Sequence, residues 1–144
     1  MLDRLIADTR ARAGRVFPVR QALGPRAAGA RLDGVDEVFD PGSGLNRVFR
    51  AADLVISTAG YNSVLELATT DTPALLMPIP RSLDDQAARA RLWGPRLGHG
   101  YEPTAHGQAV HWLAGQIACP CRRAPVDLGT DGAARAAELI LERT

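Results

Sequence analysis

The sequence predicts an α/β domain, a parallel sheet with helices on both faces, with residues 1–144 forming one unit. Three observations carry that expectation. Asp53-Leu54-Val55-Ile56-Ser57 and Pro73-Ala74-Leu75-Leu76-Met77-Pro78-Ile79 are apolar runs of strand length, the pattern of strands buried on both faces. Between them, residues 62–70 place Val64, Leu65, Leu67 and Ala68 at helical spacing. Along the rest of the chain short apolar runs alternate with helical patterns, as parallel strands joined by crossover helices require.

Each element follows in order. Leu2, Leu5, Ile6 and Thr9 repeat at helical spacing, so a helix runs from the first residues to Gly14. Residues 15–19 (RVFPV) read as a strand, and 35–39 (VDEVF) as a second, ended by Pro41-Gly42. Residues 44–52 form a short helix with Leu45, Val48 and Phe49 on one side. The strand at 53–57, the helix at 62–70 and the strand at 73–79 follow; Pro73 opens the last, where a missing N–H is tolerated. Residues 82–98 are helical to Leu92 or Trp93, then broken by Gly94-Pro95. Residues 99–102 form a brief strand. Residues 107–117 and 130–143 are two closing helices, joined by a Pro/Cys/Arg loop at 118–126.

Composition excludes several function classes. Lys plus Arg number 17 against 16 for Asp plus Glu, so no strong field selects nucleic acid or an anionic membrane. All the cations are Arg. No apolar run approaches the roughly 20 residues that cross a bilayer, and the N-terminus lacks the parts of a signal peptide. Cys119 and Cys121 flank Pro120; two thiols make no disulfide framework, which points to a reducing, cytoplasmic compartment. Further ligands for a metal are not evident beside them, so no metal site is expected.

The most informative stretch is Ser57-Thr58-Ala59-Gly60-Tyr61-Asn62-Ser63, where a buried strand hands over to a helix. In an open parallel sheet, ligands sit beyond the carboxyl ends of the strands. A helix N-terminus there offers free N–H groups and the positive end of a dipole, and small residues let an anion approach. The same letters have a plainer explanation. Ser63-Val64-Leu65-Glu66 fits a capping box, in which the Ser oxygen and the Glu carboxylate satisfy the helix's own free donors. Ser82-Leu83-Asp84-Asp85 is a similar start signal for the next helix.

Residues 51–90, AADLVISTAGYNSVLELATTDTPALLMPIPRSLDDQAARA, resemble the C-terminal, nucleotide-sugar-binding lobe of GT-B glycosyltransferases, and most closely glycosyltransferase family 28. Shared are the strand ending in Ala-Asp-apolar-apolar, the small-residue knot, the helix carrying Glu, an x-Pro-apolar strand, a Pro-containing loop and a helix that starts with an amide. The resemblance weakens but persists over 35–102. It implies a Rossmann-like parallel sheet, and a nucleotide-sugar substrate, UDP-linked, in place of any cofactor. By matching position, Gly60, Tyr61, Asn62 and Ser63 would hold the donor diphosphate and Glu66 the ribose hydroxyls. Asp85 and Gln86 would touch the transferred sugar, while Val38 and Phe39 would border the base.

The departures are specific. Asp71-Thr72-Pro73 stands where the family has Gly before x-Pro, and Arg89 stands where an amide is expected. Arg81, in a short basic loop, is a possible phosphate contact or a solvated surface cation. The family's lobe opens with a strand and a Gly-rich loop that this sequence does not show, and its acceptor-binding lobe, which supplies the base, is not seen either. His99 is then the candidate base, ahead of His106 and His111. The resemblance implies transfer of a hexose or N-acetylhexosamine, with an acceptor-lobe protein or a second copy of the chain as partner. Nucleotide-sugar hydrolysis and a non-catalytic nucleotide-binding module are the alternatives.

Overall fold

Ala74, Leu75, Leu76 and Met77 are all buried, and they make the central strand of the domain. The computed structural model describes residues 1–23, 31–129 and 138–141. Along them run α1 (Leu2–Ala13), β1 (Arg20–Ala22), β2 (Glu37–Phe39), α2 (Leu45–Ala51) and β3 (Val55–Thr58). Then come α3 (Tyr61–Ala68), β4 (Ala74–Met77), α4 (Gln86–Leu97), β5 (Gly98–Gly100) and α5 (His106–Ala118), with a 3-10 turn at Pro103–Ala105. Residues 138–141 are helical; the rest of the helix expected at 130–143 lies outside the described residues.

Every strand pairing is parallel. β3, β4 and β5 form one sheet, with Val55 opposite Ala74 and Ala74 opposite Gly98. Side chains of β4 alternate between two cores. Ala74 and Leu76 pack with Phe49, Val64, Leu67, Ala90 and Leu97 from α2, α3 and α4. Leu75 and Met77 pack with Leu5 of α1 and with Ala109, Val110 and Leu113 of α5. A strand covered on both faces needs a continuous apolar run, which is why 73–79 was readable as buried. Each fully buried Leu contributes roughly 1.5–3 kcal/mol of burial.

Among the described residues β1 and β2 pair only with each other, Arg20 opposite Glu37 and Ala22 opposite Phe39. The sheet is therefore split into two parts among the described residues. Val55 donates its N–H to the Pro73 carbonyl at 3.1 Å. Alternation along the strand turns the N–H and C=O of Ile56 to the opposite edge of β3, where no described strand lies.

Two elements differ from the sequence expectation. The strand expected at 15–19 forms at Arg20–Ala22 instead. Pro18 has no N–H to give a ladder, and Val16 is 97% exposed. The helix expected from Ser82 begins at Gln86, because Asp85 is the cap: its carboxylate accepts the Ala88 N–H at 2.8 Å. That helix also runs through Gly94-Pro95 to Leu97 rather than breaking there. Gly94 is buried against β5, and Leu97 is wholly buried in the core. Pro95 removes one donor, and the packing on both sides of it outweighs that loss.

The segment 119–126 is a strap over the amino end of the sheet. The Arg123 N–H reaches the Asp71 carbonyl and the Val126 N–H reaches the Ala68 carbonyl, each at 2.9 Å. Arg122 pairs with the Asp71 carboxylate at 3.3 Å. Arg123 donates to the Leu67 carbonyl at 2.6 Å, satisfying the C-terminal end of α3. Burial pushes the Arg123 guanidinium below its usual range. The acid at position 71, unexpected in sequence, has its explanation in this strap.

Candidate functional site

Helix α3 starts at Tyr61 and is capped by Gly60 in an extended conformation, φ −66° and ψ 147°, with no side chain serving as cap. This corrects the capping-box alternative. Ser63 lies inside the first turn and Glu66 in the next, too far into the helix to form the box. The helix begins three residues earlier than that pattern requires. The first intrahelical bond is Val64 N–H to the Gly60 carbonyl, 3.0 Å. The N–H groups of Tyr61, Asn62 and Ser63 precede it and are the free donors of a helix start. They emerge just past the carboxyl end of β3, where the dipole of α3 is positive.

Ser63 is half-buried and Asn62 exposed. The side chains of Ser63 and Glu66 have no hydrogen-bond partner among the described residues. The carbonyl of Glu66 is in use: it accepts from Thr69 Oγ1 at 2.8 Å and from Asn46 Nδ2 at 3.3 Å, which fixes the backbone that carries the carboxylate.

Across the turn sits the start of α4. Gln86 is 3% exposed. Its Oε1 accepts the Ile79 N–H at 3.2 Å, and its Nε2 donates to Asp84 Oδ2 at 3.0 Å. Gln86 thus braces the 79–86 loop from inside, whereas Asp85 is exposed at the mouth with one oxygen engaged in the cap. Arg81 is exposed on the same loop.

Arg89 is the residue whose placement the sequence did not disclose. Its Nη1 donates both to the Ala59 carbonyl and to Asp84 Oδ1, each at 2.7 Å. Its guanidinium carbon lies 5.9 Å from the centroid of the Tyr61 ring. These bonds hold the Asp84 carboxyl below the usual range, the Arg89 bond contributing most and the Gln86 bond next. A groove of about 280 Å³ runs between α3 and α4, lined by Tyr61, Val64, Leu65, Asp85, Arg89 and Trp93 among others. No spacing rule links position 89 to position 59; only the fold brings them together.

The remaining candidates lie apart from this cluster. Val38 and Phe39 are half-buried on β2, opposite Gln21 and Ala22. His99, on β5, stacks on Trp112 with ring centroids 5.8 Å apart, and burial lowers its pKa, which favours the neutral ring. His106 lies between Asp8 Oδ2, 2.8 Å from Nε2, and the Tyr101 hydroxyl, 3.1 Å from Nδ1. His111 meets Arg12 at 2.7 Å. Both histidines join α1 to α5. Cys119 and Cys121 are free and exposed, and no cluster of three metal-ligating side chains occurs among the described residues. No described helix is long and apolar enough to cross a membrane.

Comparison with known proteins bears on the same stretch. Residues 38–92 match the glycosyltransferase family 28 C-terminal domain, from β2 through most of α4. Curated relatives named UDP-N-acetylglucosamine--N-acetylmuramyl-(pentapeptide) pyrophosphoryl-undecaprenol N-acetylglucosamine transferase are similar over short spans. The protein of Azotobacter vinelandii is 41% identical over 64 residues, 44% of this chain and 17% of its own length. That of Opitutus terrae is 42% identical over 50 residues, 35% of this chain and 13% of its own. That of Synechococcus sp. is 38% identical over 71 residues, 44% of this chain and 20% of its own. The matched part of the chain thus spans no more than a fifth of these relatives. No solved structure matches the chain significantly.

Proposed function

From a chain whose residues 38–92 match the glycosyltransferase family 28 C-terminal domain, we propose that it binds the donor of a glycosyl transfer, a nucleoside diphosphate sugar. The observation that carries the proposal is the start of α3, which no side chain caps, with Ser63 and Glu66 one turn apart and free of hydrogen-bond partners among the described residues. Three N–H groups, the helix dipole and the Ser63 hydroxyl suit a diphosphate. The Glu66 carboxylate, further along the helix, suits the ribose diol. Asp85 at the mouth of the groove suits hydroxyls of the transferred sugar.

The names of the relatives specify UDP-N-acetylglucosamine as their donor, which supports a uridine nucleotide here, with Val38 and Phe39 towards the base. The transfer breaks the bond between the anomeric carbon and the distal phosphate oxygen, and the diphosphate departs with the electron pair. Fixed donors at the α3 start stabilise that developing charge, and no metal is needed for it.

We place the acceptor and the base that deprotonates it on a partner, either a separate acceptor-binding chain or a second copy of this one. The outer edge of β3, where no described strand lies, supports this, since an open strand edge is a template for another strand. The exposed free thiols of Cys119 and Cys121 support a reducing cytoplasmic setting.

Two measurements test the proposal. In thermal melting with UDP, GDP, ADP and TDP, UDP at about 100 times its dissociation constant should add roughly 2.7 kcal/mol of stability. No shift with any nucleotide would overturn the donor-site reading, and a shift with a different base would overturn the uridine assignment alone. Incubated alone with UDP-N-acetylglucosamine and an acceptor, the chain should bind without transferring. Transfer by a stable monomer would overturn the partner requirement, and release of free sugar would make the chain a hydrolase.

A further inference from the structure

We propose that Arg89 is the specificity-determining contact for the distal, sugar-bearing phosphate, so that it makes the site select nucleoside diphosphates over monophosphates; this rests on the donor-site reading above. The N–H groups at the start of α3 would serve the nearer phosphate of the diphosphate most directly, because the pull of a helix start falls off within its first turn, and the farther phosphate would gain from another donor. Arg89 is placed to supply it. Its Nη1 is 2.7 Å from the carbonyl of Ala59, the residue immediately before the Gly60 cap. That carbonyl would otherwise present a negative end to an arriving anion, and Arg89 covers it. Nη1 is held by Ala59 and Asp84, and the plane is held near the face of Tyr61.

Nη2 and Nε of Arg89 have no hydrogen-bond partner among the described residues, although the side chain is only 21% exposed. A planar guanidinium fixed at one corner, with its other donors free, suits a phosphate better than a flexible ammonium does. Asp84 balances its charge, so the contribution comes from directed hydrogen bonds rather than from net attraction.

The test compares UDP and UMP, by calorimetric titration, on wild type, Arg89→Gln and Arg89→Lys. Arg89→Gln should lose about tenfold or more in UDP affinity and less than about twofold in UMP affinity. Arg89→Lys, which keeps the charge without the fork, should also narrow the UDP-to-UMP preference, and it answers the question should the Gln variant not fold. Equal losses for both nucleotides would make Arg89 a brace for the turn and overturn the proposal, as would an unchanged UDP affinity. Wild type that binds neither nucleotide would instead bring down the donor-site reading itself.

Discussion

Gly94→Ala is expected to cost more stability than any other single-methyl addition at a described glycine inside a helix. A Cβ at position 94 would stand 2.4 Å from the Gly100 nitrogen and 2.6 Å from its Cα, both backbone atoms of β5. No rotamer change can relieve a clash with backbone, so α4 must move away from the sheet. That movement loosens Ala90 and Leu97, which fill the core between α4 and β4. Overpacking typically costs about 1–3 kcal/mol, and this site belongs at or above the upper end. At roughly 3 kcal/mol, the melting temperature should fall by about 10 °C for a domain of this size. Gly115→Ala in α5 is the control, because a Cβ there meets nothing within 4 Å. It should be neutral or stabilising by up to about 1 kcal/mol, since Ala is the better helix former. Equal melting of Gly94→Ala and wild type would contradict the close packing of α4 on β5.

The same position shows where the sequence was legible and where it was not. β4 was readable because burial on both faces demands an unbroken apolar run, and Ala74–Met77 supplies one. Gly94-Pro95 reads locally as a helix stop, yet tertiary packing keeps the helix going. Gly94 is there because β5 comes too close for any side chain, a fact of the third dimension. At residues 15–19 the apolar letters suggested a strand, but Pro18 cannot join a ladder and the pairing moves on to Arg20.

The turn at Gly60 was located from sequence because small and polar residues mark the point where a buried strand hands over to a helix. Its internal geometry was not. Ser63 and Glu66 have the spacing of a capping box, and only the start of α3 at Tyr61 distinguishes them from one. Gln86, matched by resemblance to a sugar contact, is buried with both ends of its amide engaged. Arg89 and Ala59 are thirty residues apart and no local pattern joins them. Likewise Asp8 and His106, on α1 and α5, meet only through helix packing.

The second large effect expected is on binding. Glu66→Gln should leave the melting temperature of the free chain nearly unchanged, because the carboxylate has no hydrogen-bond partner within the described protein and its carbonyl bonds survive the change. Gln is also as good a helix former as Glu. In the proposed nucleotide complex the carboxylate would accept from two ribose hydroxyls, and such charge-assisted bonds contribute about 1.5–3 kcal/mol. A neutral amide can offer only one acceptor oxygen to that diol, so affinity should fall by roughly ten- to a hundredfold. A capping role would predict the opposite pattern, with binding intact, since the box accepts either residue.

Calorimetric titration of UDP into wild type and Glu66→Gln, with both melts recorded, is therefore the most direct measurement of whether the α3 start is a nucleotide site. The account predicts saturable binding by wild type, at least about tenfold weaker binding by the variant, and matching melts of the two free proteins. No heat of binding with wild type, or equal affinity in the two proteins, would contradict it.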